Sequence, residues 1–124
     1  IPLRLVGSEM CIRDRERSSP NEIAERTLSC LKETVPHGVP GIAFLSGGQN
    51  DIEATEHLSI INTSSNNPWN ITFSFGRALQ HESIMTWGGK VEKITDAQKA
   101  FTHRAKMNSF ASLGKWNVDL ENND

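Results

Sequence analysis

Two stretches that resemble β-strands, separated by a helical stretch, constrain the fold of this chain more than any other feature. Residues 41–45 carry no polar side chain, which predicts a strand buried on both faces. Residues 69–75 alternate apolar and polar side chains, which also indicates a strand. Between them, Asn50 followed by Glu53 is typical of a helix start, and we expect that helix to continue to about Asn62. Strands joined through a helix pair in parallel, so the predicted fold class is α/β.

Three further helices are predicted around this unit. The first starts at a Ser19 cap followed by Pro20 and stops at Pro36. The next covers Ala78 to Trp87 and is broken by two glycines. The last runs from about Ile94 to Leu113, with Gly114 as its C-terminal cap. Helical spacing then predicts three apolar faces, namely Ala24, Leu28, Leu31 and Val35; Ile52, Leu58 and Ile61; and Ile94, Ala97, Phe101 and Ala105.

The two ends of the chain differ from the middle. Residues 1–17 show no clear period, and Val6 to Arg15 resembles a translated cloning adaptor. We therefore divide the chain into a non-native or disordered leader, 1–17, and a structured part, 18–124. The acidic tail from Asn117 to Asp124 is expected to be frayed.

Composition excludes several classes of protein. Thirteen Lys and Arg residues against fifteen Asp and Glu residues give a net charge of −2 without a basic block, so we expect neither a nucleic-acid partner nor a membrane partner. Two cysteines cannot build a disulfide framework, which favours the cytoplasm. Cys30 is expected to be a small packing residue within its helix. Neither the cysteines nor the four scattered histidines have metal-ligand spacing, so no metal is predicted.

The candidate site lies where the two predicted strands end. The first is followed by Ser46, Gly47 and Gly48, and the second by Gly76 and Arg77. In parallel sheets the functional loops follow the carboxyl ends of the strands, and glycine amides at a helix start favour an anion. An arginine adds a charged fork that suits phosphate. The spacing therefore indicates a phosphate site, although a simple tight turn and an Arg77–carboxylate pair are equally open at this point.

The exact residues resemble a known family. Val39–Gln49 resembles the seventh-strand motif of class I fructose-bisphosphate aldolases, and Pro68–Gln80 resembles their eighth-strand motif. Shorter matches occur in the expected order at Thr34–Pro36, Trp87–Lys90 and Gly114–Lys115. The resemblance covers essentially all of residues 18–124.

This resemblance implies a fold and an activity. Such aldolases are (β/α)₈ TIM barrels that reversibly cleave fructose 1,6-bisphosphate to glycerone phosphate and glyceraldehyde 3-phosphate in glycolysis and gluconeogenesis, through a Schiff base on a lysine of the sixth strand. They use no cofactor or metal and commonly form homo-oligomers, tetramers in this family. The chain would be the C-terminal portion of such a barrel, with strands seven and eight. Matched residue by residue, the phosphate-binding positions are Ser46, Gly47, Gly76 and Arg77, with Leu45 and Ser74 beside them.

The resemblance also implies what this chain does not carry. The Schiff-base lysine would belong just upstream of Ser18, so we expect no catalytic residue within the chain and no turnover by it alone. Two other interpretations stay open, namely a non-catalytic phosphate-binding or interaction module and a different phosphate-binding TIM-barrel enzyme.

Overall fold

The computed structural model describes residues 19–63 and 67–123, so the predicted leader and Cys11 lie outside the described residues. In the described part, helices and strands follow one another in the predicted order. Their bounds are α1, Pro20–Thr34; β1, Gly41–Phe44; α2, Asp51–Thr63; β2, Asn70–Phe73; α3, Arg77–Trp87; and α4, Ile94–Ser112. Short 3₁₀ helices cover Val91–Lys93 and Val118–Asn122.

Local capping residues set the helix ends. The Ser19 side chain accepts a hydrogen bond from the Glu22 amide at 3.2 Å, and Pro20 opens α1 as predicted. At the start of α2, the Glu53 amide donates to Asn50 Oδ1 at 2.8 Å, and the Asn50 amide donates back to the Glu53 carboxylate at 3.4 Å. This reciprocal pair is a capping box, and it confirms the predicted helix start.

The two strands form a parallel sheet, as their connection through a helix predicted. Gly41 is paired with Asn70 and Phe44 with Phe73, and the Ser74 amide extends the ladder by donating to the Phe44 carbonyl at 2.7 Å. The prediction that the first strand is buried on both faces is wrong for the described structure. Side chains alternate across a sheet, and the helices cover the face that contains Ile71, whereas the opposite face, with Gly41, Ala43, Asn70 and Thr72, is exposed.

One hydrophobic core joins the covered face of the sheet to the helices. It contains Ala24 and Leu28 of α1, Leu58 and Ile61 of α2, Trp69, Ile71 and Phe75 around β2, and Ala78 and Ala111 of the last two helices. Two predictions about buried side chains are wrong. Cys30 is exposed and does not pack, and Ile52 is 46% exposed because it lies on the solvent side of α2.

The buried face of α4 differs from the apolar face predicted for it. Ala97 is buried, but Ile94 and Phe101 are 43% and 40% exposed. The buried side consists of Ala97, Arg104, Met107, Asn108 and Ala111. Two of these five residues are polar, and they can be buried because groups on other elements hydrogen-bond to them.

Residues 117–123 of the C-terminal tail have a defined conformation, so the prediction that the tail is frayed is wrong for them. Asn117 Oδ1 accepts hydrogen bonds from the amides of Asp119 and Leu120 and caps the last 3₁₀ helix. Glu121 then bonds to Arg104 of α4, which docks the tail on the body of the protein.

Candidate functional site

The carboxyl ends of β1 and β2 lie side by side at one edge of the sheet. The hydrogen bond from the Ser74 amide to the Phe44 carbonyl shows that the strands are still paired where the two loops begin. Leu45, 76% exposed, and Ser74, also exposed, are the first residues beyond the paired segments. The two loops singled out in the sequence therefore start from the same edge, as the parallel pairing requires.

The loop after β1 is a tight turn. The Gln49 amide donates to the Ser46 carbonyl at 3.1 Å, and the two residues between them, Gly47 and Gly48, have φ angles of 56° and 82°. Two successive positive φ angles are tolerated by glycine and by few other residues. The turn by itself is thus sufficient to explain both glycines.

The loop after β2 leads directly into α3. Gly76 is the N-cap, and its carbonyl accepts from the amides of Leu79 and Gln80, both at 3.1 Å. The positive end of the α3 dipole therefore points to the edge at which Arg77 begins the helix. Arg77 is exposed and, within the described residues, forms no salt bridge, so the carboxylate pair considered from the sequence is not observed there.

Two neighbouring cavities are lined by four of the six predicted site residues, and Ser74 and Gly76 line neither of them. A cavity of about 220 Å³ lies between α1, α2 and the strand ends, and Leu45, Ser46 and Gly47 contribute to its lining. A second cavity of about 190 Å³ is lined by Gly48, Gln49, Asn50, Asp51, Arg77 and His81. Gln49 lines both cavities. The structure thus brings Arg77 to the glycine turn, but it places Ser46 in the adjoining cavity.

A hydrogen bond at this boundary is absent from the sequence prediction. Gln49 Nε2 and His57 Nδ1 are 2.7 Å apart. His57 is half-buried on α2 and lines the first cavity. No local pattern could have revealed it, because the two residues are eight positions apart and only the turn brings them together.

A buried polar network is the second feature that sequence reasoning missed. Arg104 is 2% exposed and binds both carboxylate oxygens of Glu121, at 2.8 and 2.9 Å. Trp116 Nε1 also donates to Glu121, and His103 Nε2 lies 3.1 Å from it. Burial of the carboxyl raises the pKa of Glu121, but the hydrogen bonds from Arg104, His103 and Trp116 and the Arg104 charge outweigh it, so the pKa lies below its ordinary value.

Two features are absent from the described residues, namely a cluster of metal ligands and a membrane-spanning helix. Residues 19–63 and 67–123 contain no group of three or more His, Cys, Asp and Glu side chains that could hold a metal ion. Within the same ranges, every helix is too short or too polar to cross a bilayer.

The fold is that of an α/β protein with parallel strands. In this class of protein, the loops that follow the carboxyl ends of the strands form the functional site. A family model for class-I fructose-bisphosphate aldolase matches residues 5–124. The chain belongs to the class I fructose-bisphosphate aldolase family, whose members are carbon–carbon lyases and adopt the TIM-barrel fold.

Individual relatives agree with this assignment. The chain is 51% identical over 110 residues to fructose-bisphosphate aldolase 3, chloroplastic, of Arabidopsis thaliana, covering 89% of this chain and 28% of that protein. It is 50% identical over 104 residues to the cytosolic fructose-bisphosphate aldolase 6 of the same plant, covering 83% of this chain and 29% of that protein. This chain thus spans less than a third of the length of these relatives.

A solved structure shows a similar fold. It is fructose-bisphosphate aldolase from Plasmodium falciparum in a complex with TRAP and a small-molecule inhibitor. The TM-score is 0.79 at 40% identity, and the match covers 82% of this chain and 29% of that one.

Proposed function

We propose that the edge formed by the carboxyl ends of β1 and β2 binds one phosphate group of a sugar bisphosphate. The binding groups would be Ser46, Gly47, Gly76 and Arg77, with Leu45 and Ser74 at neighbouring positions. The observation that carries the proposal is the parallel register, since it brings both loops to one edge where Arg77 has no carboxylate partner among the described residues.

Three physical features support an anion at this edge. The start of α3 supplies the positive end of a helix dipole. A Cβ placed on Gly76 would meet no atom within 4 Å, so the space above this backbone is open to a ligand. Arg77 supplies a guanidinium that can donate two parallel hydrogen bonds to phosphate oxygens. Ser46 and Arg77 line adjoining cavities, so a ligand held by both would lie across the Gln49 boundary.

We further propose that this edge serves the activity of the whole family, the reversible cleavage of fructose 1,6-bisphosphate to glycerone phosphate and glyceraldehyde 3-phosphate. In that arrangement β1 and β2 are strands seven and eight of the (β/α)₈ barrel, and the exposed sheet face with Gly41, Ala43, Asn70 and Thr72 is directed to the barrel interior. Holding one phosphate places the ketone carbon against a Schiff-base lysine. No cofactor is required by this chemistry.

The described lysines do not provide that Schiff base in this proposal. All of them lie on helices or in loops, and neither β1 nor β2 contains one. The chain by itself would therefore bind the sugar phosphate without cleaving it. We also propose that the intact enzyme assembles as a homo-oligomer. The names of the relatives include both a chloroplastic and a cytosolic enzyme, so they do not decide the compartment. We propose the cytoplasm because the cysteine count favours it.

The test is an Arg77→Ala variant of the 124-residue chain, titrated with fructose 1,6-bisphosphate in a calorimeter. A charge-assisted hydrogen bond contributes about 1.5–3 kcal/mol, so the affinity should fall by about 10-fold to 150-fold. Arg26→Ala is the matched control, because Arg26 is an exposed arginine paired with Glu22 on α1, and it should leave the affinity unchanged. Equal affinity in the wild type and Arg77→Ala would refute the phosphate site, and cleavage of the bisphosphate by the chain at a normal rate would refute the proposed absence of turnover.

A further inference from the structure

We infer that Arg104, Glu121 and Thr55 are positioning residues. Through them the C-terminal tail, residues 117–123, holds the first turn of α2. This turn forms one side of the proposed phosphate site. This inference rests on the proposed function for its ligand. The contact between the C-terminal tail and α2 can be tested without any ligand.

The first link is the ion pair that docks the C-terminal tail on α4. Arg104 and Glu121 are 2% and 9% exposed, and the two guanidinium nitrogens bind the two carboxylate oxygens separately. Such a bidentate pair fixes the plane of the guanidinium as well as its distance. Trp116 Nε1 donates to the same carboxylate at 2.9 Å, on the oxygen that Arg104 Nη1 also binds.

The second link runs from the ion pair to α2. Arg104 Nη1, which binds Glu121, also donates to Thr55 Oγ1 at 3.2 Å. Thr55 and Asn108 are 0% exposed, and Thr55 Oγ1 lies 2.6 Å from Asn108 Oδ1 and 2.8 Å from the Asp51 carbonyl oxygen. Because no water reaches this hydroxyl, loss of the guanidinium or the hydroxyl would leave a buried polar group without its partner.

The third link connects α2 to the site. Asp51 begins the helix, and Asn50 caps it through its hydrogen bond to the Glu53 amide. Both residues line the cavity that contains Gly48 and Arg77. A shift of the first turn of α2 therefore moves one wall of the cavity relative to Arg77. Small displacements of a binding group are costly because hydrogen bonds depend steeply on distance and angle.

The decisive variant is Thr55→Val in the 124-residue chain, which removes the hydroxyl and leaves the Arg104–Glu121 pair and every proposed phosphate ligand in place. Thr63→Val is the matched control, because the Thr63 hydroxyl donates to the Ile60 carbonyl near the other end of the same helix. Thr55→Ser restores the hydroxyl and should restore the wild-type behaviour.

Two measurements on folded protein separate positioning from simple stabilisation. In ¹H–¹⁵N NMR spectra, Thr55→Val should shift the amides of Gly48, Asn50 and Asp51, while Thr63→Val and Thr55→Ser should not. In titrations with fructose 1,6-bisphosphate, Thr55→Val should weaken binding by about threefold to tenfold, the equivalent of one net hydrogen bond.

The possible outcomes are distinct. If the amide signals of Gly48, Asn50 and Asp51 in Thr55→Val stay at their wild-type positions, the inference is overturned. Wild-type affinity for fructose 1,6-bisphosphate in that variant would also overturn it. A wild-type chain that binds no bisphosphate would refute the proposed function, but the amide shifts would still decide the positioning role. If Thr55→Val does not fold, Glu121→Gln serves instead, since it weakens the ion pair from the other side, and unshifted amides at those three residues would then overturn the inference.

Discussion

The Gly114→Ala substitution tests the packing that joins the end of α4 to α2 and β2. Gly114 has a φ angle of 68°, a left-handed conformation that costs a residue with a Cβ about 1–2 kcal/mol. A Cβ at this position would also lie 2.8 Å from the Asn62 carbonyl oxygen and 3.0 Å from its carbonyl carbon. Both atoms belong to the backbone, so the contact cannot be relieved by rotating a side chain.

Asn62 is also unable to move away easily. Its side-chain amide donates to the carbonyls of Leu58, Ile71 and Ala111 at 3.0, 3.1 and 3.2 Å, and so holds α2, β2 and α4 together. Overpacking a site of this kind costs about 1–3 kcal/mol. Together with the left-handed conformation, we expect Gly114→Ala to lower the free energy of unfolding by about 2–5 kcal/mol.

Gly89→Ala provides the matched control for this substitution. Gly89 has a φ angle of 78°, but a Cβ there would meet no atom within 4 Å. Both variants restrict the unfolded chain equally, so the difference between them isolates the contact with Asn62. Urea unfolding followed by tryptophan fluorescence measures both free energies. If Gly114→Ala lowers the free energy of unfolding no more than Gly89→Ala does, the predicted contact with Asn62 is refuted.

Two further outcomes concern the capping box and the buried carboxylate. Asn50→Ala removes the N-cap of α2 and should cost about 1 kcal/mol in urea unfolding, whereas a variant as stable as the wild type would show that the cap contributes nothing. Because the folded pKa of Glu121 lies below its ordinary value of 4.5, its contribution to stability is complete above that pH and is lost as the pH falls through the folded pKa. Glu121→Gln should flatten this part of the stability–pH profile, and an unaltered profile would contradict the assignment.

The edge of the sheet at which β1 and β2 end shows how far parallel pairing alone carries a structural prediction. The order of strands and helices was sufficient to predict that the loops containing Ser46 and Arg77 begin at one edge, because a helical crossover returns the chain to the same direction. It could not predict that Gln49 separates two cavities there, since that depends on the turn and on the position of His57 on α2.

Local chemistry determined much of the secondary structure from the sequence by itself. The caps at Ser19, Asn50 and Gly114 act on groups within a few residues, so their patterns are visible in the chain. Burial of polar residues was decided only by the tertiary structure. Arg104 is buried, contrary to its hydropathy, because it meets Glu121 seventeen residues later and Thr55 forty-nine residues earlier, whereas Phe101 on the same helix is 40% exposed. A charge can be buried only where partners compensate for lost water, and partners this distant are brought together by the fold alone.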